Sequence, residues 1–158
     1  MATKLFITPQ QISQTTIMGG NVDIDKFNFC IDNTQVMVIE PMLGTVLYDK
    51  MITDFPTFTG NYLIMYTDFI QPIVKYQATA EYIEVSSYTL GNGGLFKHAP
   101  DNQEVVDKDE AQFLAQKYSA MAQMYVERFN KWVCGKGITE YTNCNDYIKL
   151  TGGLYFGK

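Results

Sequence analysis

Residues 107–133 read DKDEAQFLAQKYSAMAQMYVERFNKWV, and this stretch decides the fold class. Leu114, Tyr118, Met121, Tyr125, Phe129 and Trp132 recur at steps of three and four, which aligns them on one face of an α-helix from about Lys108 to Val133. Asp107 with Glu110 three residues on is a capping-box arrangement, with Asp in the Ser/Thr role. Asp107, Asp109 and Glu110 are read as capping residues, because the helix dipole favours negative charge in the first turn. Gly135-Lys136-Gly137 ends the helix.

The same period recurs upstream. From about Tyr62 to Tyr88 a second helical stretch carries Ile70, Ile73, Val74, Gln77 and Ala80-Glu81 in order. Pro72 lies inside it and would clash with the carbonyl of Asp68, so a kink, or two helices meeting, is expected at Phe69–Gln71. Ile24, Phe27, Ile31 and Val38, with Cys30 and Met37 beside them, give a helix from about Ile24 to Glu40 that Pro41 stops or kinks. Leu43, Val46, Leu47 and Met51 mark one face of a shorter helix ending near Asp54, before a loop at Phe55-Pro56 and Thr59-Gly60-Asn61. Thr8 as N-cap and Pro9 at the first helical position open a short helix to about Thr16, which Gly19-Gly20-Asn21 ends.

Two segments depart from this pattern. Leu90 to Val106 holds the turn formers Gly91-Asn92-Gly93-Gly94 and Pro100-Asp101-Asn102, and reads as a long loop or a small hairpin. In Ile138 to Lys158, Ile148 and Leu150 alternate with Lys149 and Thr151, Gly152-Gly153 offers a two-residue turn, and Leu154 and Phe156 alternate again. A lone two-stranded hairpin is marginal in water, so this tail must pack on its own helices or on another chain. The expected fold is mainly α: a compact bundle of about four to six helices with a long Gly-rich loop or hairpin and an extended C-terminal tail, possible as a β-hairpin. Residues 1–137 form the helical domain in this reading and 138–158 the C-terminal extension.

Composition narrows the function. At 158 residues the chain has the size of one domain, which buries roughly 68–70% of its unfolded surface. It is 46% hydrophobic and 14% aromatic, which excludes a disordered chain. The net charge is −5 and Arg128 is the single arginine, so a nucleic-acid reader is not expected. Cys30, Cys134 and Cys144 form an odd set without CxxC spacing, which suits reducing conditions. Neither a signal peptide nor a membrane span is expected: the first apolar cluster, Leu5 to Ile7, runs into Thr8-Pro9, and later apolar stretches are repeatedly broken by polar residues.

No constellation of reactive residues emerges. The single histidine, His98, sits in the turn-rich loop without Cys or His within ten residues, so a metal site is not expected there. Cys30 and Cys134 read as buried small hydrophobes and Cys144 as an exposed loop thiol. The glycine loop lacks the spacing of a phosphate-binding loop. Met37, Met42, Met51, Met65, Met121 and Met124 stand at helical spacings and most simply fill a core, the sharper alternative being an adaptable binding surface. Neither catalysis nor a cofactor is expected, and interaction is the remaining class. Its candidate residues are Asn92, Gly93, Gly94, Phe96 and His98 in the glycine loop, with Tyr147, Ile148, Leu150, Leu154, Tyr155 and Phe156 in the tail.

Three segments carry a family resemblance. Residues 39–51, IEPMLGTVLYDKM, resemble the IxPxLGxxLYxxL segment of head–tail connector (adaptor) proteins of tailed bacteriophages, particularly crAss-like and related Bacteroidetes phages. Ile70-Gln71-Pro72-Ile73-Val74-Lys75-Tyr76, continuing to Glu81-Tyr82, is similar to their next helix. Leu90 to Phe96 with Asp107 to Trp132 looks like their glycine loop and long aromatic helix. The resemblance implies a structural virion protein that forms a ring of about twelve copies in the neck, closed by heterologous contacts. It would bind the portal on one side and the next neck or tail protein on the other, leaving a channel for DNA, after assembly in the host bacterial cytoplasm. Such a ring would carry roughly −60 in charge, and an acidic channel repels passing DNA. The alternative is a small helical protein-binding adaptor in a cytoplasm. An enzyme whose residues converge from distant segments is the weakest class.

Overall fold

The computed structural model describes residues 4–19, 22–86 and 108–144, together with the backbone of strands Tyr88–Gly91, Gly94–Lys97, Tyr147–Leu150 and Leu154–Gly157. Among the described residues the chain is mainly helical, with five continuous helices: Pro9–Thr15, residues 24–43, Thr45–Asp54, residues 60–85 and Lys108–Val133.

The helix starts follow from their caps. The Gln11 N–H donates to Thr8 Oγ1 at 3.3 Å while the Thr8 N–H donates to Gln11 Oε1 at 2.9 Å, a reciprocal box with Pro9 just inside it. Asp23 Oδ1 accepts from the N–H groups of Asp25 and Lys26 at 3.1 and 3.2 Å. Asp107, expected to cap the last helix, lies outside the described residues.

Each proline follows an irregular turn of its helix, at the place where a kink or a junction is expected. Pro41 does not end its helix, which runs to Leu43, and Pro72 does not divide the 60–85 helix. In both, a π turn precedes the proline: Gln35–Ile39 before Glu40-Pro41, and Tyr66–Ile70 before Gln71-Pro72. The Glu40 N–H donates to the Gln35 carbonyl and the Gln71 N–H to the Tyr66 carbonyl, five residues back in each case. The wider turn shifts the carbonyl that a proline ring would strike in a regular α-helix, so the helix passes the proline unbroken. The true break is Gly44. Its φ of 80° and ψ of 150° lie in a region open essentially to glycine alone.

The 60–85 helix is central. On one face Tyr82 meets the Phe27 ring at 4.7 Å and its hydroxyl accepts from the Asp23 N–H at 2.9 Å, while Asn33 Nδ2 donates to Glu81 Oε2 at 3.0 Å. Along a neighbouring face Tyr76 stacks on Tyr125 at 5.8 Å, Phe69 meets Trp132 at 5.0 Å, and Ser119 Oγ donates to Gln77 Oε1 at 3.2 Å. Helices 24–43 and 108–133 both pack on the central helix, and their buried side chains share one core.

Several side chains turn out differently from the sequence reading. In the last helix the buried line is Ala115, Tyr118, Ala122, Val126, Phe129 and Val133, and Met121 is exposed. The small alanines form a seam that admits the rings of Tyr76 and Tyr118 (6.2 Å apart), which rotates the buried face from the one marked by large apolar residues. Ile24, Met37 and Val46 are exposed, whereas Val38, Ile39 and Met42 face inward past the π turn, whose extra residue advances the face. The methionines divide: Met42, Met51 and Met65 are core, and Met37, Met121 and Met124 are surface.

Both π turns hold the N-terminal segment. Gln35, the first residue of one, is buried. Its Oε1 accepts from the Phe6 N–H at 2.6 Å and its Nε2 donates to the Lys4 carbonyl at 3.0 Å. Tyr66, the first residue of the other, donates its hydroxyl to the Phe6 carbonyl at 2.6 Å. Phe6 is thus gripped at both its N–H and its carbonyl, and its ring packs edge-on against Tyr48, Phe55 and Tyr66.

The core also reaches beyond the last helix. Ile138 and Tyr141 are buried, Tyr141 edge-on against Phe129 at 5.7 Å. Asn61 Nδ2 donates to the Lys136 carbonyl at 2.7 Å and Tyr62 Oη to Glu140 Oε2 at 2.6 Å, which ties this segment to the start of the central helix.

Each hairpin is a two-stranded antiparallel sheet. Gly91 pairs with Gly94, leaving two residues between the paired ends of the first. Leu150 pairs with Leu154, so three residues separate the ends of the second, in place of the expected two-residue turn. Tyr147–Leu150 runs beside the last helix.

Candidate protein interface

Amphipathic helices bury one face, and an apolar residue out of phase with that face stays in water unless something covers it. On the 24–43 helix the inward line is Phe27, Cys30, Ile31, Thr34 and Val38. Phe29 and Val36, seven residues apart, stand on the outward line with Met37, and Phe29 is 64% exposed. On the last helix Phe113, 70% exposed, lies on the outward line with Met121 and Met124. Charged residues of both signs accompany the stripes: Asp25, Lys26, Asp32 and Glu40 on the first helix, and Lys108, Asp109, Glu110, Lys117, Glu127, Arg128 and Lys131 on the second. Exposed apolar side chains grouped in this way mark interaction surfaces more often than scattered ones do.

The sequence-derived candidates are a different set. Asn92, Gly93 and His98 lie outside the described residues. Gly94 and Phe96 belong to strand Gly94–Lys97, Tyr147, Ile148 and Leu150 to strand Tyr147–Leu150, and Leu154, Tyr155 and Phe156 to strand Leu154–Gly157. The backbone register places Ile148 opposite Phe156, and Lys149 opposite Tyr155. Glycine-loop and tail candidates thus belong to two separate hairpins. Phe29, Val36 and Phe113 stand out of phase with the strongest apolar stripe of their helices. The signal that could have found them is apolar residues out of phase with that stripe.

The thiols differ in environment. Cys30 is buried, and burial, with Glu81 nearby, pushes its thiol up to about 12. Cys134 is exposed, contrary to the expected buried position, because it stands just past the last buried residue of its helix, Val133. Its Sγ donates to the Cys144 carbonyl at 3.6 Å, and hydrogen bonding to the Cys144 side chain, then burial, raises it to about 11. Cys144 is exposed, as expected. Among the described residues no three His, Cys, Asp or Glu side chains are grouped to hold a metal ion. A shallow groove between helix Pro9–Thr15 and the central helix is lined by polar side chains, among them Gln11, Gln14, Gln71 and Lys75. No helix among the described residues is long and apolar enough to cross a membrane.

No curated protein and no solved structure matches the chain. A family does match, over residues 39–149, more than half of the chain and including the Gly44 break, the central helix and the last helix. The chain belongs to the family of unknown function DUF6712.

Proposed function

We propose that this chain is a structural virion protein of a tailed phage, a head–tail connector subunit that joins the portal to the neck or tail. The observation that carries this reading is the pair of apolar stripes, Phe29, Val36 and Met37 on one helix and Phe113, Met121 and Met124 on another, exposed on one helical body. A ring subunit needs two contact surfaces that look in different directions, so that each copy meets two neighbours. The resemblance of residues 39–51, 70–82 and 90–132 to connector proteins gives the assembly in which such a subunit would serve. Each hairpin is a two-stranded sheet with its outer edges unpaired among the described residues, and such edges suit strand addition by the portal or the next neck protein. The charge of −5 per copy gives the ring a net negative field that would let DNA pass without sticking.

Quantitative mass spectrometry of purified particles tests the proposal. A connector is present at about twelve copies per particle, in fixed ratio to the portal protein. Absence from washed particles would contradict it, and recovery in the host cytoplasm with a host partner would favour a small adaptor, for which the exposed methionines would be the binding surface.

A further inference from the structure

We propose that Cys134 and Cys144 are a modification site: a thiol pair that a low-molecular-weight disulfide, such as glutathione disulfide, converts into an intramolecular disulfide that fastens the root of the C-terminal tail to the end of the last helix. The inference stands apart from the connector reading and does not need it.

The fold sorts the three thiols. Cys30 lies in the core on helix 24–43, whereas Cys134 and Cys144 are both exposed. Cys134 follows Val133, the last residue of its helix, and the chain then turns back. Gly135 and Gly137 take the left-handed backbone that the reversal needs, with φ of 83° and 71°. The Lys136 N–H donates to the Val133 carbonyl at 3.3 Å and the Tyr141 N–H to the Ile138 carbonyl at 3.2 Å, so two turns shape the segment. Ile138 and Tyr141 are buried, and Asn61 and Tyr62 donate to the Lys136 carbonyl and the Glu140 carboxylate at 2.7 and 2.6 Å. A segment pinned at these points brings its end back to its beginning. Cys134 Sγ reaches the Cys144 carbonyl at 3.6 Å, and the two thiols also hydrogen-bond side chain to side chain.

That placement carries the proposal. A disulfide forms without strain only where side-chain rotation can bring the sulfurs to about 2.0 Å. Cys134 Sγ already touches the backbone and the thiol of its partner, so the pair starts from contact. The step balances as two thiol–disulfide exchanges. The Cys144 thiolate attacks one sulfur of glutathione disulfide, which forms a mixed disulfide and releases one glutathione. Cys134 then loses its proton to solvent and attacks Cys144 Sγ, which closes the bond and releases the second glutathione. Two protein thiols are oxidised by two electrons, and one glutathione disulfide is reduced to two thiols. Cys144 goes first because the Cys134 proton is held in the bond to Cys144, which pushes the Cys134 thiol up to about 11. Strand Tyr147–Leu150 begins three residues beyond Cys144 and runs beside the last helix, so the closed bond fixes the point from which the tail hairpin leaves. The pair stays open in a reducing cytoplasm and closes outside it.

The full chain, equilibrated in glutathione buffers of graded ratio, quenched with acid and mapped by mass spectrometry without reduction, tests this. Cys134 should be joined to Cys144 within one chain, with Cys30 still a thiol. The folded chain should form the bond with an effective concentration at least about tenfold that of the chain unfolded in urea, a difference of about 30 mV. The oxidised chain should then melt about 3–5 °C above the reduced one. Cys134→Ser and Cys144→Ser, both at exposed positions, should keep their helical circular dichroism and stop at the mixed disulfide with glutathione. Mixed disulfides that persist in the unaltered chain overturn the proposal, as does a bond that involves Cys30 or a second chain. Equal effective concentrations in the folded and unfolded chain, with no rise in melting temperature, overturn it too. Particle composition decides the connector reading separately, so the failure of either leaves the other standing.

Discussion

Replacing Gln35 by leucine removes the two hydrogen bonds that its side chain makes to the N-terminal segment while nearly conserving side-chain volume. The Phe6 N–H, 2.6 Å from Gln35 Oε1, is left buried without an acceptor, which costs about 1–3 kcal/mol. The Lys4 carbonyl, 3.0 Å from Gln35 Nε2, belongs to an exposed residue that water can reach, so its loss adds only the net worth of one bond, about 1 kcal/mol. Together the change should destabilise by about 2–4 kcal/mol, a fall of about 1–2 M in the urea midpoint at a slope near 2 kcal/mol/M. Amide exchange at Phe6 should accelerate by a similar factor, because its protection rests on this bond. Tyr66→Phe removes the bond to the carbonyl of the same residue, at 2.6 Å, and should cost about 1 kcal/mol. The two changes should be non-additive, since both loosen one residue. A midpoint shift below about 0.25 M for Gln35→Leu, or unchanged exchange at Phe6, would refute the idea that the π turns anchor the segment.

Further outcomes follow from single features. Gly44→Ala forces a Cβ into a backbone conformation open essentially to glycine and should cost about 1–3 kcal/mol in a denaturant titration, although the space is free but for Asn143 Nδ2 at 4.0 Å. Burial raises the Glu81 carboxyl above its ordinary 4.5, so the folded state binds its proton more tightly than the unfolded one. The stability it contributes is full below pH 4.5 and lost as pH rises through the raised value. Glu81→Gln, which can still accept from Asn33, should therefore flatten that slope and raise the melting temperature at pH 7; an unchanged pH profile would contradict this. Truncation after Cys144 should leave the helical body folded, whereas truncation after Gly137 also removes the buried Ile138 and Tyr141 and should cost about 3–6 kcal/mol. Equal melting curves for the two truncations would show that these residues are not core.

The helices were legible where large apolar residues and caps agreed. Lys108–Val133, Thr45–Asp54 and the Thr8 and Asp23 starts are local events, written in periodicity and hydrogen-bonding side chains. What escaped the sequence was the effect of an inserted residue. A proline in a helical run signals a kink, and nothing local announces that a π turn will precede Pro41 and Pro72 and carry the helix on. Met37, seven residues after the buried Cys30, is exposed within that turn, where simple periodicity would bury it. Ala115 and Ala122 escaped for another reason: alanine gives a weak hydrophobic signal, yet at a helix seam its small size matters more. Interaction was legible as a class by elimination of chemistry. The faces were not, because Phe29 and Phe113 appear as exposed only once their neighbours on the helix are known to be buried.

The central claim, a connector subunit that completes its surface with copies of itself, is tested most directly by a cryo-EM reconstruction of the particle neck. The account predicts a closed ring of this chain beneath the portal, with Phe29, Val36, Phe113 and Met124 of each copy covered by neighbouring subunits. A neck without this chain, or a ring in which both outer helices face solvent, would contradict it.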